Sequence, residues 1–575
     1  MRWNLETPGW MLVWGGLVGL FTGGVTVLYR LAVIAGNHAI WGENLAGAWL
    51  SPMLRLVMPA LGGLLAGVLL YRWRSYTPGH GIPLVIHSVQ TNQIRFPWRM
   101  ALPSFASVIV LTSGGSAGPE GPVAEIGSVF GSNVGRILNV SQRSLRTLVG
   151  SGVAAAIAAV FGAPIGGVFF AVEVIFQGFE VAQFAPVVLS AVVASLVSRA
   201  VFEHETVVAL PAFTFNAVEF PAYILLGLLS GAIAGVYIFW MDRCSILFGK
   251  IKAPMWLKPA LGGLGVGIIG LYLPRVIGEG YESMNQAFQG QILIHELFWM
   301  LAGKLVATGL TIGSGAPGGC FAPAIFIGGT LGGFYGALLE IIFPETITNP
   351  GAYALMGMAG MIAGSFNAPM TAILIGLRVS RESFDTLLPL MTTVALSTFV
   401  MSHWDHVSVY TRILRRHGRW FPFGYDRDPL LHISVADVVQ KNPRSLPESM
   451  SAEEGLAHIR ECEDPAFLVV DEQGQFRGVV SLEDLRLALA DPMMGRLLNL
   501  SDVVNPALPH LTPKASLRDA VHLFSSTKAE ACRYSKEGKS WSAWSAGMPF
   551  FPLTAGQSRE KGKGERKGFV VMSGL

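Results

Sequence analysis

Charge is what this chain has least of. Only 14% of its 575 residues are Asp, Glu, Lys or Arg, against about 25% in an ordinary soluble domain. With 51% hydrophobic residues and a mean hydropathy of +0.49, that shortage excludes an ordinary soluble globular protein and points to a membrane protein. A formal net charge of +3 is too small for the basic footprint of a nucleic-acid-binding chain. Cysteine is scarce too. Cys244, Cys320, Cys462 and Cys532 are scattered without metal-ligand spacing, so neither a disulfide framework nor a metal centre is expected. No Ser/His/Asp grouping stands out, and the chain is not read as an enzyme.

The charge that exists is unevenly spread. Residues 1–430 are nearly all apolar, whereas 431–575 carry polar residues at ordinary density. The expected division is a large membrane domain, 1–430, and a smaller soluble part behind it. The first apolar run, Trp10 to about Ala35, is too long for a signal-peptide core and reads as a retained helix. Runs long enough to span, roughly 17–25 residues, lie near 10–35, 52–72, 181–202, 221–241, 258–275 and 385–402. Those around 101–115, 147–175, 297–312, 320–343 and 353–377 are interrupted by Gly/Pro clusters. Broken helices persist in lipid only where protein or a wet cavity satisfies the freed backbone, so this many breaks favour a transport pathway over packing kinks. Arg412, Arg415, Arg416 and Arg419 follow the last span, which puts that end, and the soluble part, on the cytoplasmic side.

The chain repeats itself. "AAAIAAVFGAPIGG" (154–167) returns as "AGMIAGSFNAPMTA" (359–372), and "GPEGPVAEIG" (118–127) more loosely as "GGCFAPAIFIG" (318–328). The fold class expected is therefore an all-α polytopic membrane protein with two repeat-related halves, inverted if each half has an odd number of spans, and a site at their interface.

Three Gly/Pro clusters open apolar helices: "PGHGIP" (78–83), "AGPEGP" (117–122) and "APGGCFAP" (316–323). Helix starts present unpaired N–H groups and the positive end of the helix dipole, and glycine lets a ligand come close. Several such ends meeting at one point would hold an anion without gripping it as a lysine would. Glu120 sits inside the second cluster. Ionised, a carboxylate there competes with the anion and blocks it; protonated, it can give way. The plainer alternative is a carboxylate that merely decorates a helix start.

These clusters are similar to the G-S-G-I-P, G-[KR]-E-G-P and G-x-F-x-P motifs of the CLC family of chloride channels and chloride/proton exchangers. They stand here as Gly79-His80-Gly81-Ile82-Pro83, Gly118-Pro119-Glu120-Gly121-Pro122 and Gly319-Cys320-Phe321-Ala322-Pro323, and the resemblance covers roughly residues 10–425. It implies a homodimer with one anion pathway per subunit, chloride as the transported ligand and Glu120 as gate and proton acceptor. It also implies an anion site formed by His80, Gly81, Ile82, Gly121, Cys320, Phe321 and Tyr410. Outside that context Tyr410 would be read as an interfacial anchor. Three positions depart from the pattern. His80 stands for a serine, which puts the anion preference in doubt. Pro119 stands for a basic residue. Val174 stands where exchangers hold an inner glutamate, and Glu173, one residue earlier, shares no helix face with it. An aliphatic side chain relays no proton, which favours channel-like conduction over proton-coupled exchange.

Behind the membrane part, residues 431–495 resemble a CBS-type module of α/β build: helix, two strands with a turn at Glu472-Gln473-Gly474, then helix. "GVVSLEDL" (478–485) matches that family's pattern, which implies Ser481 and Asp484 as contacts for the ribose of an adenine nucleotide; many such modules bind nothing. A second module starts at 496–530, and the pattern then fails. Residues 531–575 turn Ser/Gly/Lys-rich and are expected to be disordered, as if a reading-frame change had replaced the end of the module. No metal and no resident cofactor is expected. An organic-solute symporter would show paired intramembrane carboxylates, and a membrane sensor would not need Glu120, Phe321 and Tyr410 together.

Overall fold

The computed structural model describes residues 6–417 apart from 43–50, 74–80, 92, 180, 203–216, 348, 381–383 and 406, and further on 434–435, 445–460, 466–490, 497–504, 510–511, 515–527, 531–534 and 542–545. The chain forms two compact units, Met1–Phe421 and Pro422–Leu575.

The first unit is helical. Its first half holds α1 (Pro8–Trp41), α2 (Pro52–Arg72), α3 (Ile82–Gln90), α4 (Leu102–Thr112), α5 (Glu120–Ile137), α6 (Gln142–Phe161), α7 (Pro164–Phe170) and α8 (Val181–Val201). The second half holds α9 (Phe220–Lys250), α10 (Lys258–Tyr272), α11 (Tyr281–Phe288), α12 (Ile294–Gly313), α13 (Phe321–Ile342), α14 (Pro350–Phe366), α15 (Pro369–Val379) and α16 (Leu387–Trp404), followed by α17 (Val409–Arg416). Proline marks many of the starts, where its missing N–H costs nothing. Among the described residues seven helices are long and apolar enough to cross a membrane. The exposed leucines on α1 and α2 then face lipid, while α6 is almost wholly buried.

The two halves pair element by element. α1 packs on α6 and α8 as α9 packs on α14 and α16, and α5 lies on α6 as α13 lies on α14. Contacts between the halves are reciprocal. A Cβ at Gly63 of α2 would meet the Pro259 carbonyl of α10, and one at Gly263 would meet the Pro59 carbonyl; Gly67 faces the Trp256 carbonyl as Gly267 faces that of Leu56. Gly118 and Gly319, repeat-related, exchange both backbone hydrogen bonds in one antiparallel bridge (2.8 and 2.7 Å). When equivalent residues bond each other, a pseudo-two-fold axis passes between them.

Breaks fall where expected in two runs. α6 ends at Gly162 and α14 at Asn367, both in the left-handed region, and the chain restarts at Pro164 and Pro369. Other expectations need correction. The run 297–312 lies within one continuous helix, α12. The run 320–343 is also one continuous helix, because its glycines are close-packing positions against α14 (Gly328 on Gly357, Gly332 on Tyr353) rather than breaks. The run 258–275 yields only the 15 residues of α10.

In the second unit, β1 (Ser445–Pro447) pairs parallel with β2 (Ala466–Val470), which pairs antiparallel with β3 (Phe476–Ser481). The turn between β2 and β3 holds Gly474 at φ +74°, and a helix Leu482–Ala488 follows. The same order recurs: β4 (His510–Leu511) pairs parallel with β5 (Ala531–Tyr534), and β5 antiparallel with β6 (Ser542–Ser545). The strand pair expected to be missing after residue 530 is thus present to Ser545. Backbone ladders carry it, and composition alone does not register them. Residues 546–575 lie outside the described residues.

Candidate functional site

The starts of α3, α5, α13 and α17 meet around one cavity of about 340 Å³, lined among others by Gly81, Ile82, Gly121, Gly319, Cys320 and Tyr410. Five of the residues expected at an anion site, Gly81, Ile82, Gly121, Cys320 and Tyr410, therefore share one space. Phe321 stands behind it, buried, with its ring 5.6 Å from Phe161, 5.7 Å from Phe170 and 4.7 Å from Phe366. His80 lies outside the described residues. Lys258, Arg416 and His417 line the cavity too, and Arg416 pairs with Asp242 at 3.2 Å. Asp242 and Asp405 between them engage Arg412, Arg415 and Arg416, so these three arginines are ion-paired.

Each start is held in place. Ser408 caps α17 in a reciprocal box with Thr411, which fixes Tyr410 in the first turn. Tyr410 is buried, and its ring lies 5.2 Å from that of Phe366. Its hydroxyl sits beside the Cys320 thiol and makes no hydrogen bond to nitrogen or oxygen among the described residues. Tyr237 donates to the Cys320 carbonyl at 2.8 Å, which orients the peptide entering α13. Gly81 keeps φ at +85° and faces the cavity, but its N–H is donated to Glu125 Oε1 at 2.9 Å. Ser104 Oγ donates to the other oxygen at 2.6 Å. That amide is therefore already engaged by a carboxylate of α5.

Glu120 is fully buried and does not line the cavity. Its Oε2 accepts the Ala322 N–H at 3.3 Å, one of the first-turn amides of α13 that have no partner within the helix. The carboxylate of one half thus occupies the helix start of the other. Its Oε1 accepts a hydrogen bond from the Tyr281 hydroxyl. Sequence reasoning missed Tyr281. The signal was present: "GEGY" (278–281) repeats "GHGI" (79–82) one half later.

The voltage gated chloride channel family profile matches residues 62–402. The chain belongs to that family. It is 32% identical over 421 residues to a ClcB-like chloride channel protein of Ralstonia nicotianae, covering 71% of this chain and 97% of that one. It is 32% identical over 374 residues to the voltage-gated ClC-type chloride channel ClcB of Escherichia coli, covering 64% and 88%. In fold it is similar to a slow cyanobacterial Cl⁻/H⁺ antiporter (TM-score 0.66, 24% identity, 72% of this chain and 99% of that one). It is also similar to a eukaryotic CLC transporter (0.62, 20%, 93% and 96%). A CBS domain matches 435–491. The CLC chain is an integral, multi-pass membrane protein with a CBS-type module behind its membrane unit.

In that module, Ser481 and Asp484 form a reciprocal box at the start of the helix Leu482–Ala488. Ser481 N donates to Asp484 Oδ2 at 2.9 Å and Asp484 N to Ser481 Oγ at 3.1 Å. A ribose would have to displace those bonds. Glu173, in the π-turn Ala171–Phe176 after α7, accepts from Met370 N (2.8 Å), Thr371 N (2.9 Å) and Thr371 Oγ1 (2.6 Å), capping α15. Val174 beside it is buried.

Proposed function

We propose that this CLC chain conducts chloride passively across the membrane and that Glu120 is its gate. The observation that carries the reading is the Glu120 carboxylate on the Ala322 amide, beyond the cavity lined by Gly121, Cys320 and Tyr410. In that position an ionised side chain holds the place an anion would take. Protonation removes its attraction for the amide and lets chloride replace it. Cys320 and Phe321 would offer backbone donors, and Tyr410 its hydroxyl. The working unit is a homodimer with one pathway per subunit, in the cell (inner) membrane, with the CBS-type module in the cytoplasm.

Channel-like conduction is favoured over chloride/proton exchange because Val174 offers no titratable group and Glu173 is committed to capping α15. In proteoliposomes with a chloride gradient, the reversal potential is expected to ignore an added pH gradient. A shift with pH would establish proton coupling instead. Glu120→Gln is expected to carry chloride at neutral pH as fast as wild type does in acid, with no remaining pH dependence. A variant that keeps the wild-type pH profile overturns the gate.

A further inference from the structure

The segment Val276–Tyr281 reaches Glu120 without lining the cavity, and in sequence it is the counterpart of the first glycine cluster. Gly278-Glu279-Gly280 precedes α11 as Gly79-His80-Gly81 precedes α3, and Gly280 holds φ at +87° where Gly81 holds +85°. The segment is pinned by a fully buried lysine. Lys304 Nζ of α12 donates to the carbonyls of Val276 (3.0 Å) and Gly278 (2.6 Å), and the Gly278 N–H reaches the Gly114 carbonyl (3.2 Å). A side chain on this segment therefore has a fixed origin. Tyr281 uses it to donate its hydroxyl to Glu120 Oε1.

We propose that Tyr281 is the latch of the gate: a positioning residue, seated on a Lys304-pinned loop, that holds the Glu120 side chain on the start of α13. The proposal rests on Glu120 being the gate. To leave, the side chain must give up its hydrogen bonds to the Ala322 amide and to Tyr281. Without the tyrosine hydroxyl only backbone N–H groups among the described residues hold it. The other ionisable groups near the gate are Glu279 on the same segment, Lys304 of α12 and Arg30 of α1, the last two acting on Glu279, with Tyr29, Tyr237, Cys320 and Tyr410 further around it. Tyr281 is the one that touches the carboxylate as a donor.

The test is chloride efflux from proteoliposomes for wild type, Tyr281→Phe, Glu120→Gln and the double variant, across a pH series. A hydrogen bond to a charged group is strong enough that its loss frees the gate about tenfold. Tyr281→Phe is therefore expected to raise flux at neutral pH by about that factor. Flux in acid, where the gate is already released, stays unchanged. In the double variant the phenylalanine adds nothing to Glu120→Gln. A purely structural tyrosine would alter flux by one factor at every pH; that outcome, or an unchanged neutral flux, overturns the latch. If Glu120→Gln flattens the profile and Tyr281→Phe does not alter it, only the latch falls. If Glu120→Gln keeps its pH dependence, the gate falls and takes the latch with it.

Discussion

Replacing Tyr410 by phenylalanine separates binding from folding with unusual clarity. The ring is buried, 4% exposed, against Phe366, and phenylalanine keeps that packing. The hydroxyl has no oxygen or nitrogen partner among the described residues. A buried polar group left unmatched costs about 1–3 kcal/mol, so its removal should leave the melting temperature unchanged or raised. In the proposed function its value lies in the anion. A hydrogen bond to a charged ligand contributes about 1.5–3 kcal/mol, and its loss should weaken chloride binding about ten- to hundredfold. Isothermal titration of the purified protein with chloride measures the affinity, and thermal melting in chloride-free buffer measures stability. A Tyr410→Phe variant that melts lower while binding chloride as wild type does would show that the hydroxyl serves the fold and not the ion.

Glu173→Gln should destabilise the membrane unit by about 1–3 kcal/mol, since an amide cannot accept all three donors that now meet the carboxylate. The pH profile of chloride flux should stay that of wild type, and a flattened profile would mean that Glu173 handles protons after all. Ahead of the first span, Glu6 accepts from Ser141 Oγ, Ser141 N and Ser144 Oγ at the start of α6, and the Ser141 bonds hold its carboxyl below the ordinary 4.5. A lowered carboxyl stabilises fully above its unfolded value and loses that contribution as pH falls through the folded one. The melting difference between wild type and Glu6→Gln should therefore be constant near neutrality and close below about pH 4.5; a difference that widens in acid would refute the sign.

What was legible in the sequence was whatever glycine and proline punctuate. The starts of α3, α5 and α13 could be read because Pro83, Pro122 and Pro323 each stand in the first turn of a helix behind glycines. The convergence of Gly81, Gly121 and Cys320 followed from reading those starts together. Glycine without a helix start misled: Gly328 and Gly332 resemble breaks in a hydropathy profile, but they let α13 approach α14. Side-chain commitments were hidden because they join residues far apart. Nothing local ties Glu125 to Gly81, Lys304 to Val276, or Tyr281 to Glu120. In the soluble unit, β5 and β6 escaped notice because four-residue strands with no apolar alternation are held by backbone pairing.

The internal two-fold bears on why the proposed gate, Glu120, has no second copy in the other half. Gly118 and Gly319 bond each other across the axis, so each residue just beyond them has a counterpart in the opposite half. The counterpart of Glu120, first residue of α5, is Phe321, first residue of α13. A carboxylate at both starts would place two like charges near one axis, each competing for the other's amides. The chain instead puts an aromatic ring at the second start and surrounds it with Phe161 and Phe366, themselves repeat-related. The loops before α3 and α11 diverge in the same way. The first presents Gly81 to the cavity, and the second presents Tyr281 to Glu120. Symmetry thus builds two helix starts at one point, and substitutions at equivalent positions put a carboxylate on one of them and leave the other an amide to receive it.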